Sequence, residues 1–134
     1  MAKMKKWLIG VGIVLGVLIL AAGGMFFKMT RDAEAGLAAL KYESVDMNRV
    51  ADGAYQGEAD AGIVYAKVQV EVKDHAIERV QILEHRNGQG GAAESITGPM
   101  VAQNRYDVDA VSGATLSSQT IKSAVSVALK QGER

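Results

Sequence analysis

The stretch of this chain richest in groups able to do chemistry is Asp109-Ala110-Val111-Ser112-Gly113-Ala114-Thr115-Leu116-Ser117-Ser118. Its reactive groups are hydroxyls, and its small residues predict a turn that delivers them to the start of a helix. Gly113 permits a tight or left-handed turn, and Ala114 keeps bulk away from the side chain that follows. A helix N-terminus carries unpaired N–H groups and the positive end of the helix dipole, so it is a natural phosphate site. The Thr115 hydroxyl falls at that spot, with Ser117 or Ser118 as the expected cap of the helix. The residues alone leave two readings open. One is a hydroxyl that holds or accepts a phosphate group; the other, the commoner arrangement, is an ordinary capped helix after a glycine turn.

Other chemistries find little support. His75 and His85 are the only histidines, and no catalytic acid–base pair stands out in the sequence. Neither an H-E-x-x-H nor a G-x-S-x-G pattern occurs. The absence of cysteine excludes thiolate metal sites, a disulfide framework and a lipid anchor on an N-terminal Cys. The formal net charge of zero hides an asymmetry: Lys3, Lys5 and Lys6 precede the first apolar run, leaving 12 basic and 15 acidic residues from Lys28 onward. That balance argues against a nucleic-acid partner, which needs a basic patch.

Positioning the hydroxyl-rich turn requires a folded unit, expected over residues 52–131. Ala54 to Ala59 reads as a strand lying close to another backbone, because small residues alternate with tyrosine and polar residues. From Ile63 to Val72 the pattern has period two, with Val64, Ala66, Val68, Val70 and Val72 on one face and Lys67, Gln69 and Glu71 on the other. Lys73-Asp74-His75 predicts a hairpin turn and Ala76–Glu84 the return strand, with a bulge implied by the spacing of Ile77 and Val80. A loop is expected over Arg86-Asn87-Gly88-Gln89-Gly90-Gly91. A helical stretch over Ala92–Thr97 with Ile96 inward follows, then a second short helix with Pro99 in its first turn. In the last helix Ile121, Ala124, Val125, Ala128 and Leu129 form one apolar stripe, and Lys130 suits its C-terminal dipole. The expected class is therefore α+β: an N-terminal transmembrane helix, then a small antiparallel sheet packed with helices.

Trp7 to Phe27 is a run of 21 residues without a charge. As a helix it spans about 31 Å, close to the hydrocarbon thickness of a bilayer. Trp7 and Phe26–Phe27 suit the two interfaces, and the three leading lysines favour a cytoplasmic N-terminus with the C-terminal domain outside. The expected organisation is a cytoplasmic segment 1–6, a membrane span 7–27, a juxtamembrane linker 28–51 in which Thr30 caps a short helix running to Tyr42, and the domain. A cleaved signal peptide is the competing reading, with Ala21-Ala22-Gly23-Gly24 as the small-residue stretch, although its apolar core is usually only about 7–15 residues.

The motif Asp-x-x-Ser-Gly-Ala-Thr over Asp109–Thr115 resembles the attachment motif of the FMN-binding domain family. That family includes the covalent-flavin subunits of the sodium-translocating NADH:quinone reductase and of the RNF complex, and many small extracytoplasmic flavoproteins. The resemblance covers about Asp52 to Leu129. Asp52-Gly53-Ala54-Tyr55-Gln56-Gly57 is similar to the family's opening. Val68–Asp74, Ile77, Ile82 and Glu84-His85 are similar to its hairpin, and Val108–Thr115 with Ser118 to its signature. Two departures favour a stand-alone flavoprotein: the chain is shorter than the large-complex subunits, and His85 is followed by Arg86-Asn87-Gly88-Gln89-Gly90 where those subunits carry an acidic residue, threonine and proline.

The resemblance implies that a flavin transferase, using FAD and Mg²⁺, moves FMN onto the hydroxyl of Thr115 as a phosphoester. It further implies that Asp109, Ser112, Gly113 and Ala114 are what the transferase recognises, and that Leu116, Ser117 and Ser118 complete the cofactor-binding segment with Ser112, Gly113 and Ala114. His85 is either a neighbour of the flavin edge or a surface histidine at a strand end, and His75 a solvated turn residue. The functional expectation is a membrane-anchored extracytoplasmic electron carrier between a membrane donor and an outside acceptor. A flavin-dependent reductase of a small acceptor, and a non-redox binding or sensing module on the same fold, are the alternatives.

Overall fold

The structure, a computed structural model, describes residues 2–86 and 91–134. The element order is helix α1 (Ala2–Ala39), strands β1 (Gly53–Asp60), β2 (Tyr65–Lys73) and β3 (Ala76–Arg86), a 3₁₀ stretch Gly91–Ile96, and helices α2 (Thr97–Gln103) and α3 (Thr115–Gly132). The chain divides into two units, Met1–Asp32 and Ala33–Arg134.

The first unit is helix alone. It holds an 18-residue window of mean hydropathy 2.5 with none of the window buried in protein, long and apolar enough to cross a membrane or to serve as a signal sequence. The helix continues through the position where a new one was expected to start. Thr30 does not cap: its hydroxyl donates back to the Phe26 carbonyl at 3.0 Å, a bond made inside a running helix.

In the second unit, an antiparallel sheet of order β1-β2-β3 packs α3 and the shorter helices on one face. Ala66, Val68, Val70 and Val72 are all buried, as the period-two pattern requires, and meet Ile77, Ile96, Met100, Ile121, Val125 and Leu129 in the core. β2 begins two residues later than the pattern suggested. The chain still turns at Ala61–Val64, where the Ala61 N–H donates to the Val64 carbonyl at 2.8 Å. The hairpin turn centres on Asp74 (φ 52°) and His75 (φ 62°), the paired left-handed residues of a two-residue hairpin. Asn104 secures it from outside, accepting from the Ile77 N–H at 2.7 Å and donating to the His75 carbonyl at 3.1 Å. The expected bulge is present: Glu71 pairs with Arg79 and Val72 with Ile77, leaving Glu78 extra. A second occurs where Lys67 pairs with Glu84 and Val68 with Ile82, leaving Leu83 extra. Of the loop expected after β3, Asn87 to Gly90 lie outside the described residues.

β1 lies against another backbone, as its small residues predict, and the neighbour is α3. A Cβ on Gly57 would overlap the Ala124 carbonyl and come within 2.6 Å of the Ala128 nitrogen. Residues 40–51, read from sequence as a spacer, are part of this unit's core and run as a strap along α3. Val50 is fully buried, and Leu40 packs with Ala61 and Val64. The strap has no strand partner for most of its backbone, and α3 supplies the missing hydrogen bonds. The Ser123 hydroxyl donates to the Lys41 carbonyl, Ser126 Oγ accepts from the Glu43 N–H at 3.1 Å, and Lys130 Nζ donates to the Ser44 carbonyl at 3.0 Å. The chain end closes over it, with the Ala51 N–H bonded to the Gly132 carbonyl and the Arg134 N–H to the Arg49 carbonyl. This accounts for buried serines on an otherwise apolar helix face.

Candidate functional site

The site is built at the start of α3. Tyr106 to Val111 is irregular, and Val111–Ala114 closes as a turn with the Ala114 N–H donating to the Val111 carbonyl at 3.0 Å. Gly113 takes φ +80°, the value a type II turn requires at its third residue and one that glycine adopts without strain. α3 begins at Thr115, three residues before the expected start. Ala114 occupies the N-cap position with no side-chain cap bond. The N–H groups of Thr115, Leu116 and Ser117 therefore open the helix without a carbonyl one turn back or a capping side chain. The first helical bond runs from the Ser118 N–H to the Ala114 carbonyl at 2.9 Å.

The side chains around this opening divide sharply. Asp109, Ser112, Gly113 and Thr115 are exposed. Ala114 is buried, and Leu116 packs over Leu40, Ala61 and Val64, anchoring the first turn of α3 to the body of the unit. Neither Ser117 nor Ser118 caps the helix, because both side chains point inward and are essentially buried. Ser118 Oγ instead accepts from the Val111 N–H at 3.0 Å and donates to the Ala114 carbonyl at 2.7 Å. Thr115 thus presents the one exposed hydroxyl on the first turn of α3, beside open backbone donors and the positive end of an 18-residue helix. A phosphate diester on that exposed oxygen fits: the donors suit its single negative charge, and no capping side chain among the described residues competes for them.

The histidines lie apart. His75 sits in the hairpin turn, exposed, with Nδ1 3.1 Å from the Val50 carbonyl oxygen. His85 lies on β3 opposite Ala66, and its imidazole is only 2% exposed, so it is not the surface histidine of one expectation. Its Nδ1 is 3.6 Å from the Glu94 carboxylate. Because Val64 beneath Leu116 precedes Ala66 by two residues, His85 belongs to the end of the sheet where α3 begins.

Two residues that sequence reasoning passed over help set the geometry upstream of the turn. Lys122, buried on α3, reaches the Asp107 carboxylate at 2.9 Å. Tyr42 of the strap donates its hydroxyl to Gln119 at 3.0 Å, one helical turn below Thr115. Burial, and the Asp107 charge after it, raise the pKa of the Tyr42 phenol, and the same two causes raise that of Tyr106. The only sequence signal for these contacts was the polar character of a helix otherwise striped for burial.

The small α+β module thus offers an exposed threonine on an uncapped helix N-terminus, an arrangement that suits a phosphate group. The model of the FMN-binding domain family matches residues 61–130, from the turn before β2 to the last turn of α3, and the chain belongs to that family. Membership makes FMN its cofactor and flavoprotein its class. Searches of curated proteins and of solved structures gave no match.

Proposed function

We propose that this protein is a membrane-tethered, extracytoplasmic electron carrier bearing FMN as a phosphoester on Thr115. The observation that carries the reading is the placement of Thr115: an exposed hydroxyl at the first position of α3, within a motif that resembles the family's attachment sequence. In the attachment step the Thr115 oxygen forms a bond to the FMN phosphorus of FAD. The bond from that phosphorus to the bridging oxygen breaks, AMP leaves, and the threonine proton passes to solvent. A flavin transferase with Mg²⁺ is the partner that does this, and it reads the exposed Asp109, Ser112 and Gly113 with Ala114 setting the spacing.

Once attached, FMN supplies one- and two-electron redox chemistry. The chain's own contribution is to bind and orient. The uncapped N–H groups of Leu116 and Ser117 would hold the diester charge, and His85 with Glu94 would line the same end of the sheet. Covalency suits a domain facing the medium. A micromolar non-covalent site is worth about 8.2 kcal/mol and would lose its flavin to dilution. The apolar part of α1 serves as the anchor, with Lys3, Lys5 and Lys6 holding the N-terminus in the cytoplasm.

Membrane-extracted protein from cells that make the transferase is expected to exceed its sequence mass by FMN less one water. It should fluoresce as a flavin band after denaturing electrophoresis, and Thr115→Ala should lose both signals. A mass matching the unmodified chain, or a Thr115→Ala variant that keeps the increment, overturns the attachment. Loss of the N-terminal residues in the same spectrum overturns the anchor.

A further inference from the structure

We infer that Ser118 is a positioning residue for attachment at Thr115: its buried hydroxyl clamps both ends of the acceptor turn. The inference rests on the proposed attachment and adds a role that the motif does not state.

Five hydroxyl side chains lie between Ser112 and Thr120. Ser112 and Thr115 are exposed, whereas Ser117, Ser118 and Thr120 are buried. Ser118 cannot serve as a second acceptor, because it is 0% exposed and its proton is committed to the Ala114 carbonyl at 2.7 Å. Its oxygen accepts from the Val111 N–H at 3.0 Å. With the Ala114 N–H bonded to the Val111 carbonyl at 3.0 Å, these contacts form a closed ring of hydrogen bonds around the turn. The ring matters because of what it encloses. Gly113 is the most permissive residue type, and beyond its chain neighbours no atom of the described residues lies within 4 Å of where its Cβ would stand, so no side-chain packing holds the turn there. Ala114 offers no side-chain cap. Leu116 anchors the first turn of α3 by packing, and Ser118 is the side chain whose hydrogen bonds join both ends of the acceptor turn, Val111 and Ala114, and so set the line along which the Thr115 oxygen approaches phosphorus. Transfer to a positioned nucleophile is sensitive to displacements of about 1 Å, which cost on the order of a hundredfold in rate.

A matched control exists on the same helix. Ser126 is equally buried and makes the same pair of bonds, accepting from the Glu43 N–H at 3.1 Å and donating to the Ser123 carbonyl at 2.7 Å, but it faces the strap and not the turn. The test uses the full-length protein in detergent with purified flavin transferase, FAD and Mg²⁺, at a temperature where circular dichroism shows each variant folded. Ser118→Ala is expected to lower the initial rate of FMN incorporation at saturating acceptor about tenfold or more. Ser118→Cys, nearly isosteric with a weaker acceptor, should fall between it and the wild type, and Ser126→Ala should incorporate FMN at the wild-type rate. In unmodified protein, amide exchange at Val111 should accelerate in Ser118→Ala and not in Ser126→Ala. Wild-type rates in folded Ser118→Ala or Ser118→Cys overturn the positioning role alone, as do equal losses in Ser118→Ala and Ser126→Ala. A wild-type protein that takes up no FMN overturns the Thr115 attachment, and this inference with it.

Discussion

The ammonium of Lys122 lies 2.9 Å from the carboxylate of Asp107, and the two ends of the pair sit in different media: the lysine side chain is 9% exposed and the aspartate 76%. The Lys122 hydrogen bond, then its charge, hold the Asp107 carboxyl below the usual carboxylate range. A depressed folded-state pKa contributes stability that is fully present above the unfolded value near pH 4 and is lost as pH falls through the lower folded value. Asp107→Asn is expected to cost about 1 kcal/mol at pH 7: solvent screens the exposed aspartate, while the buried lysine is left short of a partner. The gap between variant and wild type should narrow as pH is taken from 7 to well below the unfolded value near 4. Urea denaturation at both pH values checks this, and a gap that stays constant between them contradicts the assignment.

Gly57→Ala tests the approach of β1 to α3. The added methyl would meet the Ala124 carbonyl and the backbone and side chain of Ala128. Overpacking against backbone costs about 1–3 kcal/mol, which for a domain of this size lowers Tm by at least about 4 °C. A thermal melt unchanged from wild type would mean that the helix does not lie where the structure has it.

Gly113→Ala separates conformational strain from packing, since no atom lies near the new methyl while φ stays at +80°. The left-handed position is expected to cost about 1–2 kcal/mol. Gly62 is a companion site, at φ +88° and equally open. Both alanine variants should lose similar stability in denaturant, but only Gly113→Ala should slow FMN incorporation. Equal incorporation by the two variants would detach the turn from the acceptor's placement.

The strap predicts where the domain can be cut. Residues 33–134 should unfold cooperatively, whereas 52–134 should not. The shorter piece loses the fully buried Val50 and the partners of Ser123, Ser126 and Lys130. Burial of one valine alone is worth about 1.5–3 kcal/mol, and buried hydroxyls left unpaired cost about 1–3 kcal/mol each. Together these approach the few kcal/mol by which small domains are stable. A cooperative circular-dichroism melt for 52–134 would show the strap to be dispensable.

Much of the architecture is legible wherever one face of a regular element meets the core. The alternation from Val64 to Val72, the stripe from Ile121 to Leu129 and the broken spacing at Ile77 and Val80 each carry their own periodicity, and each is matched by the buried face, helix or bulge observed. The bulge at Leu83, the burial of His85 and the continuation of α1 past Thr30 left no such mark. The bulge falls at Leu83 beside the apolar Ile82, and an adjacent apolar pair at a strand's end does not by itself mark a bulge. A histidine's burial depends on its cross-strand neighbour, and a helix that needs no cap carries no stop signal.

The acceptor turn shows the same division. Residue types within seven positions predicted a glycine turn opening onto a helix, since left-handed φ and helix entry are local demands on the backbone, and the resemblance that pointed to Thr115 rested on that contiguous motif. Which hydroxyls face solvent and which face inward was decided only by folding. Ser118 is recruited into the turn, while Ser123 and Ser126 meet backbone groups 82 and 83 residues away in sequence. Hydrogen bonds between buried groups so far apart leave no periodic trace, because the partner is chosen by packing in three dimensions and not by spacing along the chain.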